Sequence, residues 1–587
     1  MNILNIVDWR KRISSILNWF IILVAGLAIF ALIAEYGFYT SASRFFLHQA
    51  QLFFIFAINF IILIKFLLTH NRILYLKNNR GYFLLSAALI LIFSVIYFFG
   101  SPKFLDIFLE RFLGIKTFYF SIQFYLFVFI LLSIANVNTT ITALRGTLLR
   151  PIFLIPLSFA LIIFIGTMFL MFPRAVHFGD KISRIDALFT ATSATCVTGL
   201  IVQNTGTYFS RFGQLIILLL IQIGGLGIVT FTTFFSLILG RQLGLREQAF
   251  LGDALNLSNW HKAGRLVVRI LLFTFIIEGM GILLIYRQFV SYFGPIFHNF
   301  YLSVFHAVSA FNNAGFSLFS DNLASFKGNI SVNLIITTLI ILGGLGFPVL
   351  FELFRWLKNK ITKQKKAISF NAKVVSIATL CLILGGTILI YLFENNHLAG
   401  FSFTEKILGS YFQSVTARTA GFNTINIGAL APVTVLVLIF LMFIGASPAS
   451  TGGGIKTSTF AVLLATIKSW FGGRSSVRMF KRSLSNVVVR QALLVFILAL
   501  VWVSVCIFIL VQTEKANLLD LIFEEVSAFG TVGLSRGVTS QLTDIGKLII
   551  IISMFVGRVG PATIAIYILE KGISESYKYP EEKINIG

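Results

Sequence analysis

Phe189–Gly199 reads FTATSATCVTG, and three later stretches repeat its form. Phe305–Gly315 reads FHAVSAFNNAG, Phe412–Gly421 reads FQSVTARTAG with one residue fewer, and Phe523–Gly533 reads FEEVSAFGTVG. Each begins at Phe, carries small and hydroxyl residues, and ends at Gly. The closing glycines fall at 199, 315, 421 and 533, a spacing of roughly 110 residues, and a fixed period sets the architecture before any local feature does. A long apolar run precedes each copy and another follows it, with a further glycine at 224, 343, 445 and 557. The unit is therefore helix, short re-entrant segment, helix, and four such units surround one axis.

Working outward, 57% of residues are hydrophobic and only 12% charged, in runs long enough to cross a bilayer. This predicts an all-α polytopic membrane protein. The outer helices fall near 151–172, 267–289, 374–393 and 488–512, and the inner helices near 212–240, 331–357, 432–468 and 545–569. The units run 151–266, 267–373, 374–487 and 488–587. They follow an N-terminal extension, 1–150, with candidate spans at 18–38, 49–69, 82–100 and 119–137. None of those spans carries the arginine ladder of a voltage sensor. Arg10–Arg12 precede an apolar run of spanning length, so the N-terminus is not a cleavable signal.

The formal net charge of +25 has a topological source. Residues 355–373 hold Arg355, Lys358, Lys360, Lys363, Lys365, Lys366 and Lys373 without an acid. Residues 468–490 hold Lys468, Arg474, Arg478, Lys481, Arg482 and Arg490, again without one. Loops on the other side are balanced. The positive-inside bias places the inter-unit loops and the N-terminus in the cytoplasm and brings the re-entrant segments in from outside. Docking of an acidic cytoplasmic partner is a second use for that charge, whereas a nucleic-acid partner is not required.

In DALFTATSATCVTGL, 186–200, Asp186 is placed to cap a helix too short to span, running to about Ala194. The Thr-Cys-Val-Thr-Gly that follows is extended. Irregular backbone at membrane depth survives only where it is buried or lines water, and a dehydrated cation is a suitable partner for its carbonyls. The four copies share Gly and a run of main chain but not side chains: Val197-Thr198-Gly199, Asn313-Ala314-Gly315, Thr419-Ala420-Gly421 and Thr531-Val532-Gly533. That argues for main-chain coordination of a monovalent ion, potassium preferred, and against a carboxylate ring. The plainer reading, small residues packing between helices, suits a single copy and suits Gly224–Gly227 and Gly343–Gly346, read as packing glycines or bends.

The third inner helix, IFLMFIGASPASTGGGIKTSTF at 439–460, carries four glycines and a proline within 445–454. Pro and Gly unwind it into a loop below the re-entrant segments, a gate candidate. Gly452, Gly453, Gly454, Lys456 and Arg558 are its candidate residues, the two cations either facing the pore or snorkelling to the cytoplasmic surface. GGGIKTST is not a phosphate loop, because Ile455 separates Gly454 from Lys456. His177, His306 and Glu278 stand isolated and read as loop or packing residues. Cys196, Cys381 and Cys506 have neither disulfide nor metal spacing. No nucleophile, acid–base pair or metal cluster supports an enzyme, and no cofactor is expected in this chain.

TATSATCVTGL at 190–200, VSAFNNAGFS at 308–317, SVTARTAGFNT at 414–424, VSAFGTVGLS at 526–535, GASPASTGGGIKT at 445–457 and Arg558 together resemble the Trk/Ktr/HKT superfamily of potassium transporters, over about 151–570. The resemblance implies four helix–pore loop–helix repeats around a pseudo-fourfold pore, one pore per chain, a homodimer, and a cytoplasmic nucleotide-binding regulatory subunit of the TrkA/KtrA type acting in trans. It implies that Gly199, where some sodium-selective relatives have Ser, favours potassium, and that Gly452–Lys456 and Arg558 gate. The extension 1–150 departs from the family core. The expectation is potassium uptake across a prokaryotic inner (plasma) membrane; a sodium-permeable relative and a non-conducting membrane scaffold or sensor are the alternatives.

Overall fold

The computed structural model describes residues 151–177, 181–227, 263–293, 297–363, 368–395, 400–474 and 476–560, with scattered helical positions between 17 and 67. The candidate spans of the N-terminal extension otherwise lie outside the described residues, as does the predicted continuation of the first inner helix to 240 and of the fourth to 569.

Four units follow one another. The first comprises α1 (Pro151–Leu170), α2 (Arg184–Thr195) and α3 (Arg211–Leu226). The second has α4 (Ala263–Phe293), α5 (Phe297–Phe311), α6 (Ile330–Leu345) and α7 (Phe347–Ile361). The third has α8 (Phe370–Glu394), α9 (Phe403–Thr416), α10 (Pro432–Phe443) and α11 (Thr457–Phe471), followed by a two-stranded hairpin, β1 (Arg478–Met479) and β2 (Arg482–Ser483). The fourth has α12 (Asn486–Thr513), α13 (Leu518–Gly530) and α14 (Asp544–Val559). Within the second to fourth units the outer helix is long and apolar enough to cross a membrane: Val267–Tyr292, Phe370–Glu394 and Asn486–Thr513.

The units close on themselves. Each inner helix packs on the short helix of the next unit: α3 on α5, α6 on α9, α10 on α13, and α14 back on α2. Phenylalanines pack these joints: Phe189, Phe305, Phe412 and Phe523, which open the four repeated stretches, are all fully buried. Fully burying a side chain of that size is worth about 1.5–3 kcal/mol, and the position is filled four times around the axis. On the vestibule side each junction is tied by a polar contact. Tyr301 Oη donates to Gln214 Oε1 at 2.8 Å, Leu323 N to Asn423 O at 3.1 Å, Arg536 Nη2 to Gly428 O at 3.4 Å, and Lys547 Nζ to Asp186 Oδ1 at 2.7 Å.

Two expectations are corrected. The cap of α2 is Ser183, whose Oγ accepts from Asp186 N at 3.0 Å; Asp186 lies one turn further in, where its carboxylate pairs with Lys547. The inner helices expected near 212–240, 331–357 and 545–569, with the 224–227 and 343–346 glycines read as packing residues or bends, stop short of those bounds among the described residues. They end at Gly227, Gly346 and Gly560 with φ of +77°, +85° and +93°, left-handed conformations that glycine tolerates and that stop a helix. After Gly346 the chain turns by 109° into α7. Among the described residues the second inner helix is therefore interrupted as the third is, but at a single glycine and without an inserted loop.

Candidate functional site

Each short helix stops where a left-handed residue reverses the chain: Val197 (φ 57°), Asn313 (59°), Thr419 (72°) and Thr531 (51°). For β-branched Val and Thr such angles are outliers costing about 1–3 kcal/mol each, sustained only where the surroundings over-determine them. Three of the four stops are identical Schellman motifs. Val197 N, Asn313 N and Thr531 N donate to the carbonyls of Ala194, Ala310 and Ala528; Thr198 N, Ala314 N and Val532 N donate to those of Ser193, Ser309 and Ser527, each at 2.8 Å. The third copy, shorter by one residue, closes instead with Ala420 N on Thr416 O at 3.0 Å.

The chain then runs through Thr198, Ala314, Ala420 and Val532, all fully buried, to the four glycines. These glycines meet. A Cβ built at Gly315 would lie 2.7 Å from Ala420 O, and one at Gly421 2.5 Å from Val532 O; at Gly199 and Gly533 it would lie closer still, against Ala314 O and Thr198 O. Gly199 therefore abuts the second unit, Gly315 the third, Gly421 the fourth and Gly533 the first. The four carbonyls preceding the glycines form one closed ring, around which no L side chain fits. Every glycine in it has positive φ, from 69° to 94°.

A hydroxyl at an equivalent place in each unit clips this backbone. Ser193 Oγ accepts from Gly199 N and Ser527 Oγ from Gly533 N, both at 3.1 Å; Ser309 Oγ donates to Phe316 O at 2.8 Å and Thr416 Oγ1 to Phe422 O at 2.6 Å. The hydroxyls are visible in each stretch, but their role is a contact six or seven residues away in chain and was not readable as such. Ser527→Ala leaves the half-buried Gly533 N–H without its partner, at a cost toward the low end of about 1–3 kcal/mol. A lowered thermal midpoint in detergent is expected, with Ser527→Thr, the residue the third copy uses, retaining most of it.

Outside the ring lies a cavity of about 660 Å³, lined by the post-glycine loops of all four units, among them Asn204, Asp321, Asn426 and Ser535. On the other side of the ring runs the 444–456 loop. Thr451 N donates to Gly343 O at 3.3 Å and Ser447 N to Gly344 O at 3.1 Å, on the second inner helix. Gly454 N donates to Gly557 O on the fourth, at 3.3 Å. Gly453 N donates to Thr531 Oγ1 at 2.9 Å, and Gly452 packs so closely on the Thr419 side chain that no Cβ fits there. The loop thus touches the left-handed residues of two units directly beneath the glycine ring.

The two cations engage backbone carbonyls. Lys456 Nζ donates to Gly452 O at 2.8 Å, fastening the loop to itself, and Arg558 donates to Thr451 O of the loop and Gly224 O of α3. Gly224, Gly343 and Gly557 are packing glycines, each against the carbonyl that closes a short helix (Thr195 O, Phe311 O and Phe529 O), while Gly227, Gly346 and Gly560 are the bends.

Three further residues lie near the ring: Arg418, which sequence reasoning did not single out, and Glu278 and His306, which it read as loop or packing residues. Arg418, beside Thr419, is buried with its Nε lacking a hydrogen-bond partner. Glu278, isolated in sequence, accepts from Asn312 Nδ2 at 3.0 Å and from Gln222 Nε2 at 3.3 Å, behind the second stretch. His306 is buried, its Nε2 3.0 Å from Ser317 Oγ and its ring stacked on Phe319. His177 stays exposed, and the three cysteines are free. Among the described residues no cluster of His, Cys, Asp or Glu is arranged to hold a metal.

A closed ring of short helices whose chain reversals converge on one axis defines a membrane transport protein. The family model for TrkH, a cation transport protein, matches residues 153–577, and the chain belongs to that family. It is 42% identical over 434 residues to the Ktr system potassium uptake protein B of Bacillus subtilis, covering 73% of this chain and 95% of the relative. It is 38% identical over 447 residues to the potassium/sodium uptake protein NtpJ of Enterococcus hirae, covering 75% and 98%. The fold matches the crystal structure of the potassium transporter TrkH from Vibrio parahaemolyticus with a TM-score of 0.59 at 17% identity, over 84% of this chain and 97% of that one. The chain is a multi-pass membrane cation transporter.

Proposed function

We propose that the protein takes up potassium through the glycine ring, with the carbonyls of Val197–Gly199, Asn313–Gly315, Thr419–Gly421 and Thr531–Gly533 standing in for the ion's hydration shell. The observation that carries this reading is the closure of the ring, each glycine seated against a carbonyl of the next unit. Main-chain oxygens converging in a buried, strained geometry suit a dehydrated monovalent cation, and the vestibule of about 660 Å³ gives that cation a hydrated antechamber. The 445–456 loop, with Gly452, Gly453, Gly454, Lys456 and Arg558, obstructs the path below and is the gate.

Rubidium uptake into proteoliposomes, with sodium as competitor, tests the reading. Uptake that rejects sodium supports it; equal passage of both ions supports the sodium-permeable alternative, which the Enterococcus relative's name keeps in view; no uptake supports a scaffold. Gly199→Ser places a side chain against Ala314 O, at a φ of +94°. It is expected to raise the sodium-to-rubidium permeability ratio several-fold, and an unchanged ratio would count against placing selectivity at this ring.

Two B-type relatives are named as parts of a Ktr system. By extension the basic loops of this chain engage a cytoplasmic nucleotide-binding subunit, and two copies of the chain form the transporting unit in the plasma membrane. Co-purification of the chain with such a subunit, and nucleotide-dependent uptake, test that assembly.

A further inference from the structure

The helix α7 meets the 445–456 loop at its first residue, where Phe347 N donates to Ala449 O at 3.1 Å, and beyond that point it is built unlike its neighbours. α6 packs along the spanning helix α4, and the 109° turn at Gly346 sends α7 nearly perpendicular to it, along the membrane plane, at the end of the pore opposite the vestibule. Its first turns are anchored in protein: Phe347, Val349 and Leu350 are buried, and Phe351 meets Phe273 of α4 edge to face at 5.0 Å. Its last two turns touch protein at Asn359, which is buried, and at Phe354, whose ring meets Phe273 edge-on at 4.8 Å, but one face is left open. Phe354, Leu357 and Ile361, spaced so that they share one face, are 45%, 50% and 76% exposed. Lys358 and Lys360 flank that stripe on either side, with Arg355 a further step round, and all three are exposed. Trp356 carries the Lys360 ammonium over its ring at 5.3 Å. The one acid on the helix, Glu352, is occupied by Ser369 N at 3.2 Å.

An apolar stripe edged by cations, on a helix lying in the membrane plane, is the pattern of a segment that sits at the headgroup boundary with its lysine stems running along the apolar surface. We propose that the C-terminal half of α7 is a binding site for anionic phospholipid of the cytoplasmic leaflet, the stripe lying among acyl chains and Arg355, Lys358 and Lys360 holding phosphate headgroups. Charge complementarity selects this occupant, because three exposed cations stand together with no free carboxylate on the helix. An acidic protein partner would answer the charges but leave the stripe in water. The site is independent of which ion the ring selects.

The test uses the purified full-length chain in phosphatidylcholine–phosphatidylglycerol vesicles, with bromine on the acyl chains of one lipid or the other. Tryptophan quenching is recorded, and the Trp356 contribution is taken as the difference between wild type and Trp356→Phe. Brominated phosphatidylglycerol is expected to quench Trp356 well beyond an equal mole fraction of brominated phosphatidylcholine, since each cation near an anionic surface is worth about fivefold in local partitioning. The Arg355→Gln/Lys358→Gln/Lys360→Gln variant is expected to lose that preference while keeping its elution profile in detergent. Equal quenching by the two lipids, no quenching by either, or a preference surviving in the triple variant would each overturn the proposal.

Discussion

Gly533→Ala is expected to cut rubidium uptake at least tenfold, while Gly537→Ala, four residues on, leaves it near the wild-type rate. The two glycines have nearly the same backbone, φ +90° and +94°, so alanine at either imposes the same left-handed strain. They differ in what surrounds them. A Cβ at 537 meets nothing within 4 Å, whereas one at 533 runs into Thr198 O and lies 2.9 Å from Gly199 Cα. Both obstacles are backbone and cannot swing aside as a side-chain tip does. Because the ring is closed, pushing Thr198 outward moves Gly199, and Gly199 is itself seated on Ala314 O. One methyl therefore disturbs the proposed coordinating oxygens of more than one unit, and a rise of only about 1.4 kcal/mol in the barrier already cuts the rate tenfold. The comparison is made on protein reconstituted in equal amount, which separates conduction from folding. Similar uptake by the two alanine variants would remove the ring from the transport path.

The same glycines explain what could be read from the chain and what could not. Residues 199, 315, 421 and 533 were legible because a fourfold repeat exposes a shared requirement even where side chains differ: Thr198, Ala314, Ala420 and Val532 have no chemistry in common beyond a carbonyl. The outer helices were legible as apolar runs, with α8 and α12 falling within about four residues of the expected bounds. The breaks in the inner helices were legible only in the third, from its proline and its run of glycines. GGLG at 224–227 offered packing and bending as alternatives, and both are realised within four residues, Gly224 against Thr195 O and Gly227 in the turn. Local spacing cannot assign which glycine does which, because the partner of Gly224 is a carbonyl in another helix. Asp186 was misread for a related reason. Ser183 and Asp186 are both good caps, and the choice was made by Lys547, 361 residues away. Glu278 was read only as a loop or packing residue and Arg418 was not singled out, because a lone charge in the sequence carries no record of what lies beside it.

Arg558→Ala is expected to raise basal rubidium flux roughly tenfold or more in protein reconstituted without a cytoplasmic subunit. The guanidinium joins Thr451 O in the loop to Gly224 O on α3, so it holds the loop against a unit that the loop's own backbone does not reach in its hydrogen bonds. A hydrogen bond from a charged donor contributes about 1.5–3 kcal/mol, and losing even one moves a closed–open equilibrium by tenfold or more. Lys456→Gln is expected to act in the same direction but less, because Lys456 ties Gly452 to its own segment and not to another unit. Deleting residues 445–452 should also raise basal flux, since it removes the stretch that runs under Thr419 and includes Thr451, the carbonyl Arg558 holds. The decisive measurement combines the two changes. If Arg558 acts only by holding the loop, Arg558→Ala adds nothing to the deletion, and the flux of the double variant equals that of the deletion alone. A further rise in the double variant would mean that the guanidinium repels cations in the pore directly, and a fall in flux for Arg558→Ala alone, in protein with a normal elution profile, would mean that the loop is a support for the ring and not its gate.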